Sequence, residues 1–145
     1  MRGKEFIGKL DHDRIVEAIR EAESKSSGQI RIYIERGELK SDPLEAAQKI
    51  FAKLRIHETK ERNAVLIFVA PRARKLAVVG DRGIHEKCGD PLWQSVVSKM
   101  TDHFKSERFT EAVVDAVGEL GSVLATHFPH QSSGKNELPD DIIES

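Results

Sequence analysis

The order of hydrophobic patterns in this chain predicts an α/β fold: an α/β/α sandwich with a small mixed β-sheet and about four helices. Three observations carry that prediction. Asn63-Ala64-Val65-Leu66-Ile67-Phe68-Val69-Ala70 is almost continuously apolar, which fits a central strand buried on both faces. Residues 29–35 before it alternate Ile30, Ile32 and Ile34 with Arg31, Tyr33 and Glu35, the period-two pattern of a strand. A helical pattern lies between these two strands, so the crossover makes them parallel, whereas only Pro71-Arg72-Ala73-Arg74 separates the second from a third at residues 75–80, which predicts an antiparallel hairpin.

Asp11 or Asp13 can cap a first helix whose Ile15, Ala18, Ile19 and Ala22 recur on one face. Glu23 continues the row of Ile15 and Ile19, which brings its carboxylate close to the buried stripe; the alternative is a solvated flank. Ser26-Ser27-Gly28 ends this helix, and the alternating strand that follows reads as an edge strand. Asp42 caps the crossover helix, Pro43 stands at its first position, and Ala47, Ile50, Phe51 and Leu54 form its inward face. Asp90-Pro91 opens a helix with the apolar row Trp93, Val96, Val97, Met100 and Phe104. A last helix near residues 110–127 turns Val113, Ala116, Val117, Leu120 and Leu124 inward, with Gly118, Gly121 and Ala125 as a line of small residues for close approach. The domain is expected to span residues 1–128, with 129–145 as a flexible tail that only Leu138, Ile142 and Ile143 could dock.

A length of 145 residues suits one domain with its own core. With 23 basic and 24 acidic residues interspersed, neither nucleic acid nor a membrane surface is indicated as a partner. The single cysteine, Cys88, excludes an intrachain disulfide. No signal segment or stretch of transmembrane length is evident, so the expectation is a cytoplasmic protein, monomeric by default.

The stretch Gly80-Asp81-Arg82-Gly83-Ile84-His85-Glu86-Lys87-Cys88-Gly89-Asp90 reads as a polar, glycine-punctuated loop leaving the third strand. Following strand directions puts it at the same end of the sheet as the close of the first helix and the connection at residues 55–63. Glu23, Thr59, Asn63, Asp81, Gly83, His85 and Asp90 therefore converge by topology. Glu23, Asp81, His85 and Asp90 are the candidate ligands of a divalent cation, and Thr59, Asn63 and Gly83 the candidate pocket beside it. Calcium, magnesium, manganese and zinc all remain open as the ion. The bland alternative makes these residues turns, caps and surface groups.

The segments Ala22-Glu23, Gly28-Gln29-Ile30, Arg62-Asn63-Ala64-Val65-Leu66, Gly80-Asp81-Arg82-Gly83-Ile84-His85 and Asp90-Pro91-Leu92-Trp93 together resemble the TPM-domain family, over roughly residues 5–130. That family includes a thylakoid-lumen acid phosphatase of photosystem repair and many bacterial proteins. The resemblance implies the α/β/α sandwich, a divalent cation near Asp81 to Asp90, and weak phosphatase activity in some members. Many relatives have glycine in place of Ala64 and an acid in place of His85. With His85 and Asn136-Glu137-Leu138-Pro139-Asp140, the chain looks like the short soluble bacterial branch.

Two functions follow as expectations. One is a non-catalytic binding or assembly module for a protein partner or a small phosphorylated ligand. The other is a weak metal-dependent acid phosphatase. The binding reading is favoured because no nucleophile framework is visible: there is no HExxH pair, no phosphate-binding glycine loop with lysine and no serine elbow. Cys88 has Gln94 six residues on, where a cysteine phosphatase needs an arginine.

Overall fold

A computed structural model describes residues 3–129 and 142–145. Among these residues, six helices and four strands follow in the order α1 (Gly3–Gly8), α2 (His12–Ser24), β1 (Gln29–Ile34), α3 (Pro43–Lys53), β2 (Ala64–Ala70), β3 (Lys75–Gly80), α4 (Arg82–Cys88), α5 (Asp90–Lys105), α6 (Phe109–His127) and β4 (Ile142–Glu144). The sheet order is β3-β2-β1-β4. β1 pairs parallel with β2, and β2 pairs antiparallel with β3, as the crossover and the short hairpin require.

Two apolar layers sandwich the sheet. On one face Ile30, Ile32, Ile34, Val65, Ile67 and Val69 meet Ile15 and Ile19 of α2, Trp93, Val96 and Met100 of α5, and the inward row of α6. On the other, Leu66 and Phe68 meet Ala47 and Phe51 of α3. The uninterrupted apolar run of β2 is thus buried on both sides. Gly121 is where the close approach of α6 is realised, since a Cβ there would meet that of Ala22 at 2.7 Å. Gly118, expected in the same line, is exposed with nothing near it.

The capping expectations are met at Asp11, which accepts from Arg14 N, and at Asp42, which accepts from Leu44 N and Glu45 N. Three features differ. The stretch after β3 is not an open loop: its residues from Arg82 to Cys88 form α4, and α1 is a further short helix, giving six in place of four. β1 is not an edge strand, because β4 lies on its far side with Ile32 opposite Ile142 and Tyr33 opposite Ile143. The polar positions of β1 accordingly go inside, with Tyr33 stacked on Phe68 at 5.8 Å and Arg31 almost wholly buried. Of the residues expected to dock the tail, Ile142 and Ile143 lie in β4, and Leu138 lies outside the described residues.

Candidate functional site

The amino ends of β1 and β2 and the carboxyl end of β3 share one end of the sheet, and α4 starts there. Asp81 is the hub. Its backbone N–H donates to Ala64 O at 2.9 Å, so β3 stays tied to β2 up to the turn. Its carboxylate Oδ1 accepts from Arg82 N at 2.7 Å and caps α4. The same carboxylate takes the fork of Arg62, Nε to Oδ2 at 2.7 Å and Nη2 to Oδ1 at 2.9 Å. Asp81 is buried, whereas the Arg62 side chain is one third exposed. The hydrogen bonds that Arg62 donates to Asp81 raise its guanidinium above the ordinary value.

The Arg62 backbone is bent to make this possible. Its φ of 52° lies in the left-handed region, and its carbonyl accepts from Gly83 N at 2.8 Å. Gly83 belongs at this contact because a Cβ would lie 2.5 Å from Arg62 O and closer still to Glu61 O. One helical step further, His85 is held by a different partner. The Trp93 indole N–H donates to His85 Nδ1 at 2.9 Å, and the two rings lie nearly parallel. That bond assigns the neutral imidazole proton to Nε2, whose nearest carboxylate oxygen is Asp90 Oδ1 at 3.9 Å.

Asp90 does not cap α5. Gly89, at φ 69°, occupies the N-cap position of α5, and Asp90 is the first helical residue with its side chain largely in solvent. Glu23 is not a solvated flank either. Its Oε2 accepts from Ile30 N at 2.7 Å and lies 3.7 Å from Arg31 Nη1, with both side chains buried. Asn63 donates through Nδ2 to Ser27 Oγ at 3.0 Å and Glu61 Oε2 at 3.2 Å, and Ser27 Oγ also donates to Glu61. Thr59 is buried, its carbonyl accepting from Arg62 N.

Topology thus gathers these residues at one end of the sheet, but their side chains turn to separate partners: Glu23 to Arg31, Asp81 to Arg62, His85 to Trp93. Among the described residues no three His, Cys, Asp or Glu side chains gather closely enough to hold a metal ion. The set Glu23, Asp81, His85 and Asp90 does not fit a shared divalent cation in this arrangement. Arg62, Ser27, Glu61 and Trp93 were missed in the sequence. The signal for Arg62 was its place next to Asn63, at the same end of the sheet as the Asp81 carboxylate.

A cleft of about 330 Å³ opens between α3 and the end of β3, with Phe51, Ala52 and Val79 as its apolar wall and His57, Arg62 and Asp81 as its polar one. Cys88 is half-buried, and burial pushes its thiol up, against the opposing charge of Lys87, so it is not an activated thiolate.

Comparison with known proteins agrees with the architecture. No curated protein matches this chain. Among solved structures, the BA42 protein of the psychrophilic bacterium Bizionia argentinensis is similar at 33% identity and a TM-score of 0.85, over 92% of each chain. The N-terminal domain of a Corynebacterium glutamicum protein is similar at 16% identity and TM-score 0.61, over 88% of this chain and 76% of that one. The N-terminal domain of a P. gingivalis protein shares the fold at 17% identity and TM-score 0.59, over 79% and 76%. The model of the TPM domain matches residues 3–123, and this chain belongs to the TPM domain family.

Proposed function

We propose that this domain is a non-catalytic binding module that takes an extended protein segment along the open side of β3. The backbone of β3 carries the reading. In an antiparallel ladder the residues whose N–H and C=O face the partner alternate with residues whose groups face away. Asp81 N bonds Ala64 O, and the register continues with Val79 opposite Leu66 and Ala77 opposite Phe68. Leu76, Val78 and Gly80 therefore direct their backbone groups to the open side, where no further strand lies among the described residues. Strand addition on such an edge draws affinity from main-chain bonds and specificity from pockets for alternate side chains. The cleft beside α3 adjoins the end of this edge and suits a side chain with an apolar stem and an acidic or amide tip, facing Phe51 and Val79 below and His57 and Arg62 above.

A hydrolase reading finds less support. Asp81 spends both carboxylate oxygens on Arg62 and on the cap of α4, and Cys88 is held toward its neutral form. The ion pair also orders the corner for which a cation was the expected organiser.

The test pairs a binding experiment with an assay. Peptides selected from a random library on the purified domain should shift the amides of Leu76, Val78 and Gly80. Leu76→Pro removes an outward N–H without breaking the β2–β3 ladder, and should abolish that binding. Peptides that map elsewhere, or bind the proline variant equally well, refute the edge. Turnover of p-nitrophenyl phosphate that requires a divalent cation and vanishes in Asp81→Asn would establish the phosphatase instead.

A further inference from the structure

The opposite end of the sheet, where β1, β2 and β4 finish, carries a larger cleft of about 740 Å³. We propose that this cleft binds a phosphorylated small molecule of about mononucleotide size. In open α/β sheets ligands sit outside the carboxyl ends of parallel strands. β1, β2 and β4 run parallel to one another and all end at this cleft.

The chemistry of the walls favours an oxyanion. Lys4 of α1, Arg36 after β1 and Arg72 of the hairpin tip reach the cleft from three separate parts of the chain; Glu35 and Ser145 also line it. Glu35 is already engaged by the Tyr33 hydroxyl at 3.4 Å. Arg36 is held in place by its neighbours: its backbone N–H donates to Ser145 Oγ at 2.8 Å and its Nε to Ser145 O at 3.1 Å. Gly3 packs directly on it, for a Cβ at that position would meet Arg36 Cα at 2.5 Å. The remaining partners are loose. Arg36 Nη1 lies 4.0 Å from Glu144 and Arg72 Nη2 lies 3.5 Å from Glu38, on side chains that are all exposed. Surface pairs of that kind contribute little and give way to a phosphate, which accepts the arginine fork with higher charge. The volume falls within the range of small-molecule sites and exceeds what inorganic phosphate alone would fill.

Amide shifts of the full chain, titrated with AMP, inorganic phosphate, adenosine and citrate, test this directly. The expected result is saturable shifts at Glu35, Arg36, Gly37 and Ser145 with AMP, and binding at least ten-fold weaker for adenosine and for citrate. Arg36→Gln and Arg72→Gln, both at exposed side chains, should each weaken AMP ten-fold or more, and Lys60→Gln, exposed at the far end, should not. The absence of saturation by AMP at millimolar concentration, equal binding of adenosine, or shifts that survive both glutamine variants would overturn the proposal. Citrate as tight as AMP would overturn the phosphate assignment. Strand-edge binding at β3 is read from different amides, so either proposal can fail without the other.

Discussion

The same substitution at two helical glycines should move stability in opposite directions, and the difference measures how tightly the Asp81 corner is built. At Gly118, on the exposed side of α6, a methyl group would meet nothing within 4 Å, so alanine brings only its better helix propensity, about 0.5–1 kcal/mol. At Gly83 the same methyl group would collide with Arg62 O at 2.5 Å and with Glu61 O, which are backbone atoms that no rotamer change can move aside. Relief requires α4 to shift away from the turn at residues 61–62. That costs about 1–3 kcal/mol of overpacking, and weakening the Gly83 N to Arg62 O bond adds about 1 kcal/mol, with the propensity gain offsetting part. The net expectation is a loss of about 2 kcal/mol, or roughly 6 °C in melting temperature, against a gain of about 2 °C for Gly118→Ala. Chemical and thermal denaturation of the two variants measures both. Fluorescence of the chain's one tryptophan supplies a local readout, because displacing α4 disturbs the Trp93 bond to His85. Gly83→Ala as stable as Gly118→Ala, with unchanged emission, would refute the close approach and its role in setting the corner.

Three further outcomes are expected. Asp81→Asn in metal-free buffer should lower the melting temperature by several degrees because a buried fork with Arg62 is lost; unchanged stability with a ten-fold loss of divalent-cation affinity would make Asp81 a ligand instead. Tyr33, the only tyrosine, should ionise above its ordinary value, because burial, and next the Glu35 charge, disfavour the phenolate. A raised folded-state value makes this contribution complete below about pH 10 and lost as pH rises through the folded value, so ultraviolet titration should show late ionisation coupled to unfolding, and an ordinary titration would contradict it. Removing residues 142–145 should cost about 1–3 kcal/mol, since Ile142 and Ile143 are half-buried on the sheet; an unchanged denaturant midpoint would show β4 to be dispensable.

The sheet's centre was legible because β2 has no polar residue to place and the hairpin after β3's partner is too short for anything but antiparallel pairing. The position of β1 was not, for its alternation of isoleucine with Arg31, Tyr33 and Glu35 is what a strand with one wet face would show. What covers that face lies far along the chain, in β4 and in the stacking of Tyr33 on Phe68. At the candidate site, strand directions correctly gathered Asp81, Asn63, Thr59 and Glu23 at one end. Residue type alone could not tell how each carboxylate would be spent, because ligand and structural acceptor call for the same aspartate. The deciding neighbours, Arg62 and Arg31, came from positions the pattern had treated as loop and strand surface. α4 was hidden by its glycines, which suggest a loop until Gly83 is seen as a contact point and Gly89 as the corner between two helices.

The seat of β4 beside β1 has a kinetic side. As the chain is synthesised, β1 appears early and can pair with β2 once α3 and β2 have emerged, but its other flank stays open until nearly the whole domain has been made. Through that interval a strand of three isoleucines offers unpaired backbone groups to any neighbouring chain, a hazard for self-association that the finished fold no longer shows. Closing that flank is a long-range event with a high loop-closure cost, so it belongs among the late steps of folding. Crowded expression should therefore select for rapid arrival of Ile142 and Ile143 more strongly than equilibrium stability alone would suggest.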